Sequence, residues 1–299
     1  MISSTRSFRL EMLQVARLAP KVLGDSTELV ASFLQSQITP QGGFGDRDGR
    51  PDLYYTVFGL ESLMALRKEL PLDSTKAYVQ SLGDGTGLDF VHLCSLARCV
   101  ASLGRDTLTE EARVRLAARI EAYRTPDGGY HGSPEKRVGS SYGAFLAWGA
   151  YSDLALPMPD EERLLPTVLN LLLPDGSFAA EPDLPQGTTP TTAAAVVLCR
   201  LLGASLGTAT GDWLLEQAHA SGGFLAVPGA PLPDLLSTAT ALHALESLEA
   251  DWSALREPCL DFVDSLWNAE GGFHGHWADD HLDVEYTSYG LLALGHLSS

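Results

Sequence analysis

Two guanidinium groups stand close together in the stretch GGFGDRDGRPDLYYT, which carries Arg47, Arg50, Asp52, Tyr54 and Tyr55. Paired arginines can chelate the oxygens of an anion, and a neighbouring phenol such as Tyr55 can add one more donor. Further on, DFVHLC supplies Asp89 and His92. Asp52 and His92 are of the right type to ligate a metal or move a proton, whereas Cys94, two residues beyond His92, points elsewhere on a regular helix. Near the C-terminus, His274, His276, Asp279, Asp280 and His281 precede Asp283 and Tyr286. The residue types in that run suit a metal, but the irregular spacing reads as a surface loop. Lys136 and Arg137 form another adjacent basic pair, suited to an anion.

Each of these residues also has a plainer reading. Asp52, Asp89, Asp234 and Asp283 stand where helices need N-caps. Tyr55 and Tyr286 belong to a recurring Tyr-Thr pattern that fits core packing. Arg47, flanked by Asp46 and Asp48, fits a solvated loop, and His92 on an apolar helix fits a satisfied interior histidine.

The elements that must position these side chains follow from a repeat. QGGFGDRDGRPDLYYTVFGLESLMAL from Gln41 returns as EGGFHGHWADDHLDVEYTSYGLLALGHL from Glu270, with weaker copies from Asp127, Asp175 and Ser221. One degenerate unit, from Leu82, fits between the first two copies. The turn glycines Gly128, Gly176, Gly222 and Gly271 recur at intervals of roughly 46–49 residues, which marks a repeat architecture. In each unit an apolar helix face runs into a Gly-Gly-aromatic turn, expected to act as its C-cap, then a loop. A second helix opens at an Asp or Thr. No strand-like alternation competes over a comparable length. The expectation is one all-α domain over 1–299: a leading helix in 1–29, then hairpins over about 30–70, 71–104, 110–155, 160–205, 210–250 and 255–299. Inner helices are expected to begin near Asp52, Asp89, Ser140, Thr188, Asp234 and Asp283.

This grammar resembles the prenyltransferase and squalene-cyclase repeat family over nearly the whole chain. The resemblance implies an α6–α6 toroid with a central funnel, most like the β subunit of a protein prenyltransferase of the geranylgeranyltransferase type. It also implies an isoprenoid diphosphate or similar apolar chain in that funnel, an alkyl-transfer reaction and, in zinc members, an α-subunit-like helical partner. The family's zinc ligands fall at Asp234, Leu236 and Tyr286, and leucine cannot ligate zinc. No tight zinc site is therefore expected there. By analogy within a pseudo-symmetric ring, Arg47, Arg50, Tyr54, Tyr55 and Tyr286 become candidate substrate-binding residues. Asp52, His92 and Asp283 become candidate catalytic residues, with Asp52 and His92 also candidate ligands. Zinc or magnesium is compatible with that pair, but no cofactor is firmly implied.

Two alternatives stand beside prenyl transfer. A class II terpene cyclase needs a protonated carboxylic acid and an aromatic funnel. Its Asp-x-Asp-Asp signature is matched poorly by Asp279, Asp280 and Asp283. The other alternative is a non-catalytic toroid that binds a lipid or a protein. Composition agrees with one large core: 299 residues, 45% apolar. A net charge of −18 argues against nucleic acid and anionic membrane surfaces. No apolar run is long enough to span a bilayer, the N-terminus makes an unpersuasive signal peptide, and the four cysteines lack a disulfide pattern. Together these point to the cytoplasm.

Overall fold

A computed structural model describes residues 7–298. The helices run in order α1 Phe8–Ala16, α2 Pro20–Leu23, α3 Thr27–Ser36, α4 Leu53–Ala65, α5 Leu72–Ser81, α6 Phe90–Leu103 and α7 Glu110–Glu121. They continue as α8 Ser141–Leu154, α9 Leu164–Leu169, α10 Thr189–Leu201, α11 Thr208–Glu216, α12 Leu235–Ser247, α13 Arg256–Ser265 and α14 Val284–Leu297. From α3 onward they alternate between an outer and an inner layer. Each inner helix (α4, α6, α8, α10, α12, α14) packs on the next, and α14 returns to α4, so the ring is closed. Among the described residues the only sheet is the two-residue pair β1 Phe224–Leu225 and β2 Pro233–Asp234.

All six inner helices start where the capping pattern places them. Asp52, Asp89, Ser140, Thr188, Asp234 and Asp283 are extended N-caps, each accepting a hydrogen bond from the backbone N–H three residues on. The recurring threonine four residues past the cap has a definite task. Thr56, Thr192, Thr238 and Thr287 are fully buried and accept the amide N–H of the turn aromatics Phe44, Phe178, Phe224 and Phe273 at 2.9–3.2 Å. Those rings are 0–1% exposed. These four repeats thereby pin the turn to its own inner helix, satisfying an amide that burial would otherwise strand.

The Gly-Gly pair does not cap the outer helix. Helix α3 ends at Ser36 with Gln37 in the right-handed region, and Gly42 lies in a separate tight turn at φ 96°. What requires glycine is proximity as well as φ: a Cβ on Gly42 would lie 2.2 Å from the carbonyl oxygen of Ser74, on the next repeat's outer helix. Gly271 stands in the same relation to Leu29, again at 2.2 Å, which closes the sixth repeat on the first. The glycine marks where one hairpin docks on its neighbour.

Among the described residues the leading segment holds α1, α2 and a 3-10 turn, Gly24–Ser26, rather than one helix. Helix α1 packs across α14 and α4 and covers the C-terminal end of the inner ring. Phe8 stacks on Phe145 with ring centroids 4.0 Å apart, and Arg9 pairs with the buried Asp153 at 2.8 Å.

Candidate active site: a capped cavity and its rim

The inner helices share one register, so equivalent positions form layers. The sixth residue past each cap (Phe58, Ser95, Leu146, Ala194, Thr240 and Tyr289) faces a central cavity of about 390 Å³. Above it, Tyr54, Val91, Tyr142, Pro190 and Leu236 form the layer two residues past the caps. Below it, Arg98, Gly149, Val197, His243 and Leu292 form the layer nine past. Phe8 and Met12 of α1 contribute to the base. The volume falls in the range of small-molecule sites, roughly 300–1,000 Å³. The lining is apolar apart from a few groups, and aromatic side chains come from three of the six inner helices, α4, α8 and α14.

At the rim, charges close on one another. Arg47 reaches across the ring seam, donating from Nε to Asp283 at 2.8 Å and from Nη2 to Asp279 at 2.9 Å, with its guanidinium 5.5 Å from the Tyr286 ring centroid. Burial works against its charge, but the two carboxylates more than offset this and hold the guanidinium firmly protonated. Arg50 is turned toward Asp48 at 3.4 Å and is largely exposed. The two arginines thus have different partners and do not jointly frame one anion. Lys136 pairs with Glu181, which also meets His131 at 3.2 Å.

His92 links two caps. Its Nδ1 lies 2.8 Å from Asp89 Oδ1 and its Nε2 3.0 Å from Asp52 Oδ2. The bond to Asp52 is the largest influence, and with Asp89 it outweighs burial to raise the imidazole to about 9. Both ring nitrogens are therefore occupied by carboxylates, and neither is open to a metal. Among the described residues no three His, Cys, Asp or Glu side chains are grouped so as to hold one. At the family's zinc sector, Asp234 bonds the amide and hydroxyl of Ser237 at 2.7 Å each, Leu236 faces the cavity, and Tyr286 lies beside Arg47. These residues do not fit zinc.

Tyr54 joins rim and cavity. It lines the upper layer and donates its phenol to Glu285 Oε1 at 2.5 Å. Burial raises the Glu285 carboxyl above the usual range against the pull of Tyr54. Asp283 is also raised, its desolvation outweighing its cap bond and Arg47. Tyr55 and Tyr286 are half-buried, and desolvation pushes each phenol up to about 12. The loop His274–His281 lies at this rim, with Asp279 drawn into the seam.

Sequence reading missed the polar floor. Arg98 donates from Nε to Glu61 Oε1 at 2.7 Å and from Nη2 to Glu61 Oε2 at 2.5 Å. Asp153 is 3% exposed, and burial pushes its carboxyl up to about 6 despite Arg9 and Arg98. Beside them His243 Nδ1 and His296 Nε2 meet at 3.1 Å, and burial lowers the two imidazoles to about 4 and about 3. A usable signal existed: Glu61, Arg98 and Asp153 are each the one Asp, Glu, Lys or Arg within α4, α6 and α8.

A ring of six helical hairpins with its inner N-termini at one rim defines the α/α-toroid class. The sequence profile of the prenyltransferase alpha-alpha toroid domain matches residues 10–92, 90–224 and 202–297, so the chain belongs to that family. Its structure is similar to a variant of the type II terpene cyclase MstE from Scytonema in complex with its substrate geranylgeranyl dihydroxybenzoate. That match has 12% identity and a TM-score of 0.62, covering 93% of this chain and 97% of the other. A protein from Actinoplanes matches at 16% identity and TM-score 0.62 (92% and 99% covered). An inactive alpha-1,6-mannanase variant from Salegentibacter, bound to mannotriose, matches at 12% and 0.61 (92% and 98% covered). Cyclase and glycosidase on one scaffold show that these likenesses establish fold and not substrate. No curated protein matches the chain. No helix among the described residues is long and apolar enough to cross a membrane.

Proposed function

We infer that the chain binds an isoprenoid, or a similarly long and apolar molecule, in the central cavity. The observation that carries this is the layered lining: one register brings apolar and aromatic side chains from the six inner helices onto a single central space. Family membership agrees with it. Between the family's chemistries, the structure favours proton-initiated cyclisation over zinc-assisted prenyl transfer. Arg47 has its charge satisfied by two aspartates, and Arg50 faces away from it, so little free positive charge is left to draw in a diphosphate. Aromatic faces such as Phe58, Phe145 and Tyr289 can stabilise a cation, and Glu285, raised by desolvation and bonded to the cavity-lining Tyr54, is the candidate acid on the rim side of the cavity. In this reading Asp52, His92 and Asp283 shape the rim. Four buried free thiols fit a reducing compartment, and we place the protein in the cytoplasm.

The test is calorimetric titration with the hydrocarbon farnesene, followed by incubation with linear polyprenyl substrates and product analysis. Binding of farnesene, with cyclic products lost in Glu285→Gln, supports the reading. Absence of farnesene binding overturns it.

A further inference from the structure

An apolar cavity for a plain hydrocarbon has no need of ions at its base, yet Arg98 and Asp153 line this one, each backed by a charged partner. Glu61, Arg98 and Asp153 stand nine to thirteen residues below the caps of α4, α6 and α8, roughly 13–20 Å from the rim at helical rise, and Arg9 of α1 joins them through Asp153. Such a cluster costs desolvation that well-packed apolar residues would avoid, so stability alone does not account for it. Nor are its bonds complete. The Arg98 guanidinium gives Nε and Nη2 to Glu61, and among the described residues its Nη1 has no hydrogen bond. The Asp153 carboxylate uses Oδ1 for Arg9, and its Oδ2 has none. Neither atom is among the buried polar atoms sealed off without a partner. Both residues line the cavity, and each senses the charge of the other.

We propose that the open edges of Arg98 and Asp153 form a subsite for a hydroxyl group carried by the inner end of the ligand. A hydroxyl fits because it can accept from Nη1 and donate to Oδ2 at once. Charge excludes the anionic alternatives: two guanidinium groups face two carboxylates, so no surplus positive charge remains for a diphosphate or a carboxylate. The ligand class is an isoprenoid alcohol, or a hydroxylated terpenoid, inserted with its oxygen at the base and its hydrocarbon toward Tyr54. Phe8 and Met12 of α1 complete that base, and Phe8 lies 5.6 Å from the Arg98 guanidinium. The subsite rests on the cavity reading above and adds to it the polarity and direction of the ligand.

The test compares farnesol, farnesene and farnesyl diphosphate by calorimetry on the full chain. Farnesol should bind at least tenfold tighter than farnesene, and tighter than the diphosphate. In Arg98→Met with Glu61→Gln, which removes both charges of the pair together, the alcohol-to-hydrocarbon ratio should fall to near one. A farnesol analogue with a photoreactive diazirine beside the oxygen gives a second reading that needs no variant. In the wild-type protein it should label α1 or Ser95–Arg98, as read by mass spectrometry. Equal affinity for alcohol and hydrocarbon in the wild type, or labelling at Tyr54 and the rim, overturns the subsite while leaving the cavity reading intact. No binding of any of the three overturns both.

Discussion

The rim and the floor of this toroid are built from the same ingredients, arginines facing carboxylates across neighbouring repeats, and they differ in what surrounds them. At the seam, Arg47 is about one-third exposed and is held by two acidic partners. At the floor, Arg98 is almost enclosed, has one acidic partner in direct contact and keeps an unused nitrogen. Water can replace a lost partner at the rim and cannot easily do so at the floor. Equal-looking ion pairs should therefore respond very differently to the same substitution.

The largest contrast should come from breaking the Arg98–Glu61 pair. Arg98→Met alone leaves Glu61 charged and buried, which should cost about 3–5 kcal/mol in denaturant unfolding. Adding Glu61→Met should recover most of that loss. Equal losses in single and double variants would mean that the two residues are not energetically coupled.

The next effect concerns the seam's backbone. Gly271→Ala forces a non-glycine residue to φ 96° with its Cβ against the Leu29 carbonyl, and should lower stability by about 2 kcal/mol or more. A stable Gly271→Ala protein would show that the seam is looser than its contacts imply.

Histidines sharpen the comparison by pH. His92 at the rim has a raised pKa, so its contribution is present below pH 6.5 and is lost as pH rises through 9. His243 and His296 have lowered pKa values, so their neutral packing holds above pH 6.5 and is lost as pH falls toward 4. Melting temperature should thus peak near pH 6.5. His92→Gln should flatten only the alkaline side, by roughly 2 °C for a domain of this size. A variant that flattened the acid side instead would reverse the assignment.

Arg47→Ala should have the smallest effect, about 1 kcal/mol after solvent screening, shrinking further in 1 M salt. Farnesene affinity should be unchanged, because Arg47 does not line the cavity. A loss of several kcal/mol that resists salt would make the rim as dry as the floor.

How far the sequence revealed this molecule depends on which signals repeat. The N-caps recur six times at one register, so the starts of all inner helices were legible, and the turn glycines gave the ring itself. Two readings needed coordinates. Gly42 marks a docking contact with Ser74 rather than a helix end, because the approach that excludes a side chain lies in the next repeat. Arg47 binds Asp279 and Asp283, more than two hundred residues away, a pairing that exists only once the ring has closed. The cap role suspected for Asp52 was right as far as it went, and its second carboxylate oxygen also meets His92. The floor escaped notice because its members belong to four different elements and share no local motif.

Helix α1 lies outside the six repeats and yet supplies the cavity's closed end. Part of the depth and chemistry at that end is therefore set by a segment that the ring does not need in order to close. Such a base is an interchangeable part: a lineage could shorten, shift or recharge it and so accept longer or differently terminated guests, while every hairpin kept its register.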